Sequence, residues 1–272
     1  MPLRKVVVLG VMAVVVATGC SRLTFVRQSA QRQGAEEVAP EYHVRDSAET
    51  KKRLAMQDQL TLAAQRLRAG DMDSAERAAT SVLKANPDSS DAHTLLAVIN
   101  ERQGNGTQAA VHYKRAAELA PAQGGSLNNY GAWLCQNGFP ADSLVWFDRA
   151  LADPRYASPA SALANAGGCA LKSGQYDRAE RDLRKALELE PSNAYALGAM
   201  AESEFRQNRF FAARAFTERR LAAASASPDV LQLAARIEEK LGDKAAASRY
   251  IQRLRTEFPD VASAIPGGGT KP

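Results

Sequence analysis

Histidine, cysteine and tryptophan are scarce in this chain, at three, three and two residues among 272. None of the histidines, His43, His93 and His112, stands at metal-ligand spacing with cysteine, aspartate or glutamate. No nucleophile elbow and no phosphate-binding loop occur, and carboxylates are scattered over polar helix faces. The segment Gly104–Ala109, GNGTQA, matches a dinucleotide fingerprint in letters only, because a helix rather than a strand precedes it. Lysine and arginine form no dense cluster, which argues against nucleic acid as a partner. The apolar run Val6–Ala17 is twelve residues long, short of the ~20 that a membrane span needs. These absences predict a non-enzyme with no cofactor, no metal and no small-molecule substrate. Aromatic residues make up 6 %, and alanine carries much of the 45 % hydrophobic content, a composition that predicts helices.

What the first twenty residues do contain is a leader. Arg4 and Lys5 precede the apolar run, and Thr18 and Gly19 lead into Cys20. A basic segment, a short apolar stretch and small residues make a secretory signal, removed in the mature protein. A cysteine at that place suits the lipoprotein variant, in which the thiol is acylated, although Ala17 stands where leucine is commoner. The alternative is an ordinary signal peptide with an incidental cysteine. Acyl chains on Cys20 would anchor the chain, each buried CH₂ contributing ~0.8 kcal/mol. Ser21 follows where aspartate would resemble an inner-membrane retention signal, which favours the outer membrane. Removing Arg4 and Lys5 lowers the formal charge from +5 to about +3. The predicted segments are a leader over 1–19, an acylated N-terminus and flexible tether over 20–50, a folded part over 51–262 and a disordered tail over 263–272. A flexible tether of about thirty residues has an r.m.s. span of ~30 Å.

The folded part is periodic. Glycines fall at 70, 104, 138, 174 and 242, and prolines at 87, 121, 154, 191 and 259. Ala75, Ala109, Ala179, Ala213 and Ala247 keep the same register. A step of about 34 residues is the tetratricopeptide (TPR) period, a helix–turn–helix unit. Glycine ends the first helix in a left-handed cap, alanine lets the paired helices approach, and proline ends the second helix. YKRAAELAP (Tyr113–Pro121) and LRKALELEP (Leu183–Pro191) resemble second-helix TPR signatures. The expected fold is all-α, a right-handed superhelix of six repeats: 56–89, 90–123, 124–159, 160–193, 194–227 and 228–261. The third carries two extra residues. The fifth is degenerate, with Asn208 and Ser225 in place of glycine and proline.

Cys135 and Cys169 lie 34 residues apart, on first helices of adjacent repeats. Neighbouring helices pack ~8–10 Å apart, within reach of a disulfide, and an exported protein meets an oxidising compartment. A disulfide is expected; the other possibility is two buried thiols packing like alanine. Concave-facing positions of the first helices hold Leu60, Ala64, Leu67 and Arg68, then Thr94 and Val98, then Asn128. This groove is apolar at its N-terminal end and polar in the sixth repeat, and it suits an amphipathic helix or extended peptide. A preceding helix or the tether covering Leu60 and Leu67 is the alternative, since Thr50–Gln57 already looks helical.

Asn128–Leu151 (NNYGAWLCQNGFPADSLVWFDRAL), Asp153–Pro159 (DPRYASP) and Asn165–Glu180 (NAGGCALKSGQYDRAE) are more specific than a generic repeat. They resemble the type IV pilus biogenesis/stability lipoproteins, TPR pilotins of the pilus secretin. Members show an Asn-Asn-Tyr-Gly opening, a cysteine soon after, an Asp-Pro-x-Tyr corner and a second cysteine. The resemblance spans nearly the whole mature chain. It implies a lipoprotein on the inner leaflet of the outer membrane, held by its N-terminal acyl chains. It further implies binding of secretin subunits and promotion of their localisation and multimer assembly. A scaffold for outer-membrane protein insertion or for cell-wall enzymes is the alternative.

Overall fold

The computed structural model describes residues 47–263. The predicted leader, Cys20, the tether up to residue 46 and the tail beyond residue 263 lie outside the described residues. Among the described residues every regular element is a helix. Six pairs follow one another: α1 (Ala48–Arg68) with α2 (Met72–Ala85), α3 (Ser90–Arg102) with α4 (Gly106–Leu119), and α5 (Gly124–Gln136) with α6 (Pro140–Leu151). The later pairs are α7 (Pro159–Lys172) with α8 (Tyr176–Leu189), α9 (Ala194–Arg206) with α10 (Phe210–Ala223), and α11 (Pro228–Leu241) with α12 (Lys244–Glu257). A short α13 (Pro259–Ser263) follows. The pairs coincide with the six periods read from the sequence. Each second helix packs on the first helix of the next pair, and successive first helices touch one another.

Local chemistry explains the boundaries. Asp71, Ser89, Asn193 and Asp243 cap their helices by accepting from a backbone N–H three residues on. Pro140, Pro159 and Pro228 sit in a first helical turn, where a missing N–H costs nothing. At the end of α3, Gly104 has φ +79° and donates to the Glu101 carbonyl, while Asn105 donates back to Asn100 at 2.8 Å. That is a Schellman cap, satisfying carbonyls the helix leaves open. The degenerate fifth repeat keeps the same turn, because Asn208 adopts φ 58° and Arg209 donates to the Glu204 carbonyl at 2.9 Å. Asparagine is one of the few side-chain-bearing residues that visits this conformation readily.

Packing follows the period too. Ala75, Ala109, Ala179 and Ala213 are wholly buried, and Ala247 nearly so, at the contact between paired helices. The core is a series of small clusters: Ala63, Leu67, Leu96 and Ile99 between the first two pairs, and Cys135, Leu144, Phe147 and Cys169 between the third and fourth. Phe205, Leu233 and Ile237 join the fifth to the sixth. Stability in such an array is a sum of repeat and nearest-neighbour terms. Arginine–carboxylate pairs reinforce these junctions. Arg178 of α8 meets Asp148 of α6 at 2.6 Å, and Arg214 of α10 pairs with the buried Glu238 of α11. A buried carboxylate needs such a partner to offset its lost hydration.

The two extra residues of the third repeat form a corner. The Asp153 carboxylate accepts from the N–H groups of Gly124 at 3.0 Å and Arg155 at 2.9 Å. Tyr156 lies against Gly124 so closely that a Cβ there would be 2.6 Å from its ring. The corner therefore caps the start of α5 from 29 residues away.

Candidate protein-binding groove

First helices form the surface on which the expected groove residues lie. Thr50–Gln57 is no separate covering helix; it is the start of α1, which runs 21 residues without a break. Leu60 and Ala64 are half-buried and Arg68 is exposed, its Nε donating to the Ala64 carbonyl at 3.2 Å. Thr94 and Val98 are half-buried, and the Thr94 hydroxyl oxygen has no hydrogen-bond partner among the described residues. Two expected lining residues belong to the interior instead. Leu67 is 6 % exposed and packs with Ala75, Leu96 and Ile99. Asn128 is buried and accepts from Asn165 Nδ2 at 3.1 Å, a polar tie between α5 and α7. Leu60, Ala64, Thr94 and Val98 thus stay partly open, whereas Leu67 and Asn128 are enclosed.

Cys135 and Cys169 are joined by a disulfide, with Cα atoms 5.8 Å apart. Both sulfurs sit in the cluster with Leu144 and Phe147, so the bridge ties α5 to α7 from within the core. His93 and His112 face each other across α3 and α4, with Nδ1 atoms 2.9 Å apart, and His93 Nε2 lies 3.1 Å from the Pro87 carbonyl. Burial, then the charge of His93, pushes His112 below the ordinary imidazole range.

A concavity lies further along the array, on later first helices. A cleft of about 760 Å³ opens between α7, α9 and α11, with Arg220 of α10 at its edge. Leu171, Ala199, Val230 and Leu233 supply apolar lining, and half-exposed Tyr195 stands over Gly168, where a Cβ would lie 2.3 Å from its hydroxyl. Lys172, Arg206, Arg220 and Arg236 face two carboxylates, Glu202 and Asp229. Arg206 pairs with Glu202 at 2.6 Å, and Arg220 donates to the Ala224 and Ser225 carbonyls at the end of α10. The Arg236 guanidinium lies 4.5 Å from the centre of the Phe205 ring. In repeat register Gly168 and Glu202 correspond to Ala64, Gly198 to Leu60 and Arg206 to Arg68. The signal was therefore in the sequence. A concave, partly apolar surface with a few fixed charges binds polypeptide segments well.

Comparison with known proteins matches this geometry. Tetratricopeptide-repeat models match residues 60–124, 170–237 and 229–260. The type IV pilus assembly protein PilF of Pseudomonas aeruginosa is 22 % identical over 193 residues, covering 71 % of this chain and 77 % of that protein. The crystal structure of PilW, a widely conserved type IV pilus biogenesis factor, superposes with a TM-score of 0.70 at 28 % identity, covering 75 % of this chain and 94 % of PilW. The structure of Pseudomonas aeruginosa PilF gives a TM-score of 0.69 at 21 % identity, covering 77 % of this chain and 95 % of that one. The chain belongs to the tetratricopeptide-repeat proteins, a class of protein–protein interaction scaffolds. Within that class it is homologous to the type IV pilus assembly proteins PilF and PilW, at low identity but over most of its length.

Proposed function

We propose that this protein is a type IV pilus assembly factor of the outer membrane that captures secretin subunits and promotes their assembly into the multimeric channel. The observation that carries the reading is the likeness to PilW, which extends over 94 % of that chain at 28 % identity. Proteins named for pilus assembly and pilus biogenesis are thus matched by both sequence and fold. A disulfide suits an oxidising compartment outside the cytoplasm. No helix among the described residues is long and apolar enough to cross a membrane, so a lipid on Cys20 is the proposed attachment. In this reading residues 1–19 are removed, Cys20 anchors, the segment before α1 tethers and the helical array from Ala48 onward binds, the helix starting a little before the expected boundary at residue 51. Leu60, Ala64 and Arg68 of α1, with Thr94 and Val98 of α3, form the proposed contact for the secretin. A scaffold held at the membrane also raises the local concentration of subunits there.

The direct test is binding of the purified mature chain to purified secretin subunits, measured by calorimetry. Saturable binding, weakened by Leu60→Asp in a folded protein, supports the reading. Absence of binding by the wild-type chain contradicts it.

A further inference from the structure

We infer that the cleft between α7, α9 and α11 is a second recognition site, built for an extended polypeptide segment that carries carboxylate side chains. Three observations converge on it, none of them drawn from the pilus proteins.

The first is charge. Of the four cations around the cleft, Arg206 is neutralised by Glu202 and Arg220 is engaged with backbone carbonyls. Lys172 and Arg236 have no carboxylate within ion-pair distance among the described residues. Arg236 is instead held in place by its stacking on Phe205, which orients the guanidinium at little entropic cost. With Asp229 the remaining carboxylate of the lining, the cations outnumber the anions four to two, and Arg236 is the one held by an aromatic ring.

The second is a glycine that the fold does not require. Gly131, Gly167 and Gly168 lie inside helices because a Cβ would collide with Phe147, Leu183 or Tyr195 at 3.0 Å or less. Gly198 is also in mid-helix, yet a Cβ there would meet nothing closer than the Arg220 Cδ at 3.9 Å. Glycine in a helix interior is unfavourable, and here no packing contact accounts for it. Its effect is to leave the α9 backbone bare in the lining of the cleft, where a passing main chain can approach.

The third is the mixture of surfaces. The half-exposed Tyr195 ring and the partly buried Ala199 and Val230 adjoin the cations, above the enclosed Leu171 and Leu233. A segment with carboxylates alone would leave the apolar lining uncovered. One that mixes acidic with aliphatic residues offers carboxylates to Arg236 and Lys172 and apolar groups to Tyr195 and Val230.

The test is fluorescence anisotropy with the purified full-length chain and a labelled peptide of about twelve residues, alternating glutamate and leucine. A matched peptide with lysine in place of glutamate is the control, and a single-stranded oligodeoxynucleotide is the competitor. The acidic peptide should bind at least about tenfold more tightly than the basic one and weaken as salt is raised. Arg236→Glu with Lys172→Glu should weaken it by about tenfold or more. Gly198→Leu, whose Cβ would meet nothing closer than the Arg220 Cδ at 3.9 Å, should do the same while its circular-dichroism melting curve shows an intact fold. Equal binding of the two peptides, or binding unchanged in both folded variants, would overturn the inference. So would an oligonucleotide that binds the cleft more tightly than the acidic peptide. Secretin capture is scored separately with Leu60→Asp, so failure here leaves the pilus reading standing, and the reverse holds.

Discussion

The carboxylate of Asp153 accepts a hydrogen bond from the backbone N–H of Gly124, 29 residues earlier, at 3.0 Å. This contact, with the N–H of Arg155 as a second donor, holds the Asp153 carboxyl below the ordinary carboxylate range. A depressed folded-state value means stability that is present above the unfolded-state pKa and lost as pH falls through the folded value. Asp153→Asn should therefore melt below wild type at pH 7, with the gap closing as pH is lowered toward 3. A gap independent of pH would contradict the assignment. Gly124→Ala brings a methyl 2.6 Å from the Tyr156 ring and 2.8 Å from the Ala150 carbonyl, and should cost ~1–3 kcal/mol as overpacking.

Reduction should loosen the middle of the array. The Cys135–Cys169 bridge closes a loop of 34 residues, and loops of that size contribute ~2–4 kcal/mol. Urea unfolding with and without reductant should show that difference in the wild type and none in Cys135→Ser/Cys169→Ser.

His112 predicts a second pH dependence. Its folded value lies below the ordinary histidine value, so the unfolded chain takes up the proton first and stability falls as pH drops through the ordinary histidine range. Below the folded value the loss from this group is complete. Thermal melts between pH 7.5 and 5 should fall less steeply for His112→Gln than for wild type, on the linkage relation.

Leu60 and Leu67 should separate cleanly although both lie on α1. Leu67→Ala opens the first junction and should cost ~2–5 kcal/mol, read by chemical denaturation. Leu60→Asp, at a half-buried position, should remain folded and reduce secretin capture.

Most of the architecture was legible because it is written in a repeated local code. Glycine, alanine and proline recur where a turn, a close contact and a helix end recur, so period alone located the helix pairs. Asn208 shows how robust that code is, since a letter that reads as degeneracy performs the same turn. The Cys135–Cys169 bridge was legible for the same reason, as one period sets adjacent helices side by side. Depth was not legible. Leu67 and Ala64 occupy equivalent faces, yet only Leu67 is enclosed, because burial depends on α2 and α3 together. The His93–His112 pair and the reach of Asp153 to Gly124 are contacts between elements, with no signature in either segment alone. The cleft has no signature in one repeat, because its lining is shared among repeats four, five and six and only their stacking brings Lys172, Tyr195 and Arg236 together.

The central claim is that a membrane-anchored repeat scaffold brings secretin to the outer membrane. The most direct test is the amount of secretin multimer in outer-membrane fractions from cells lacking the gene and from cells carrying Cys20→Ala. The account predicts multimer lost on deletion and missing from the outer membrane in Cys20→Ala. Unchanged multimer in both would contradict it.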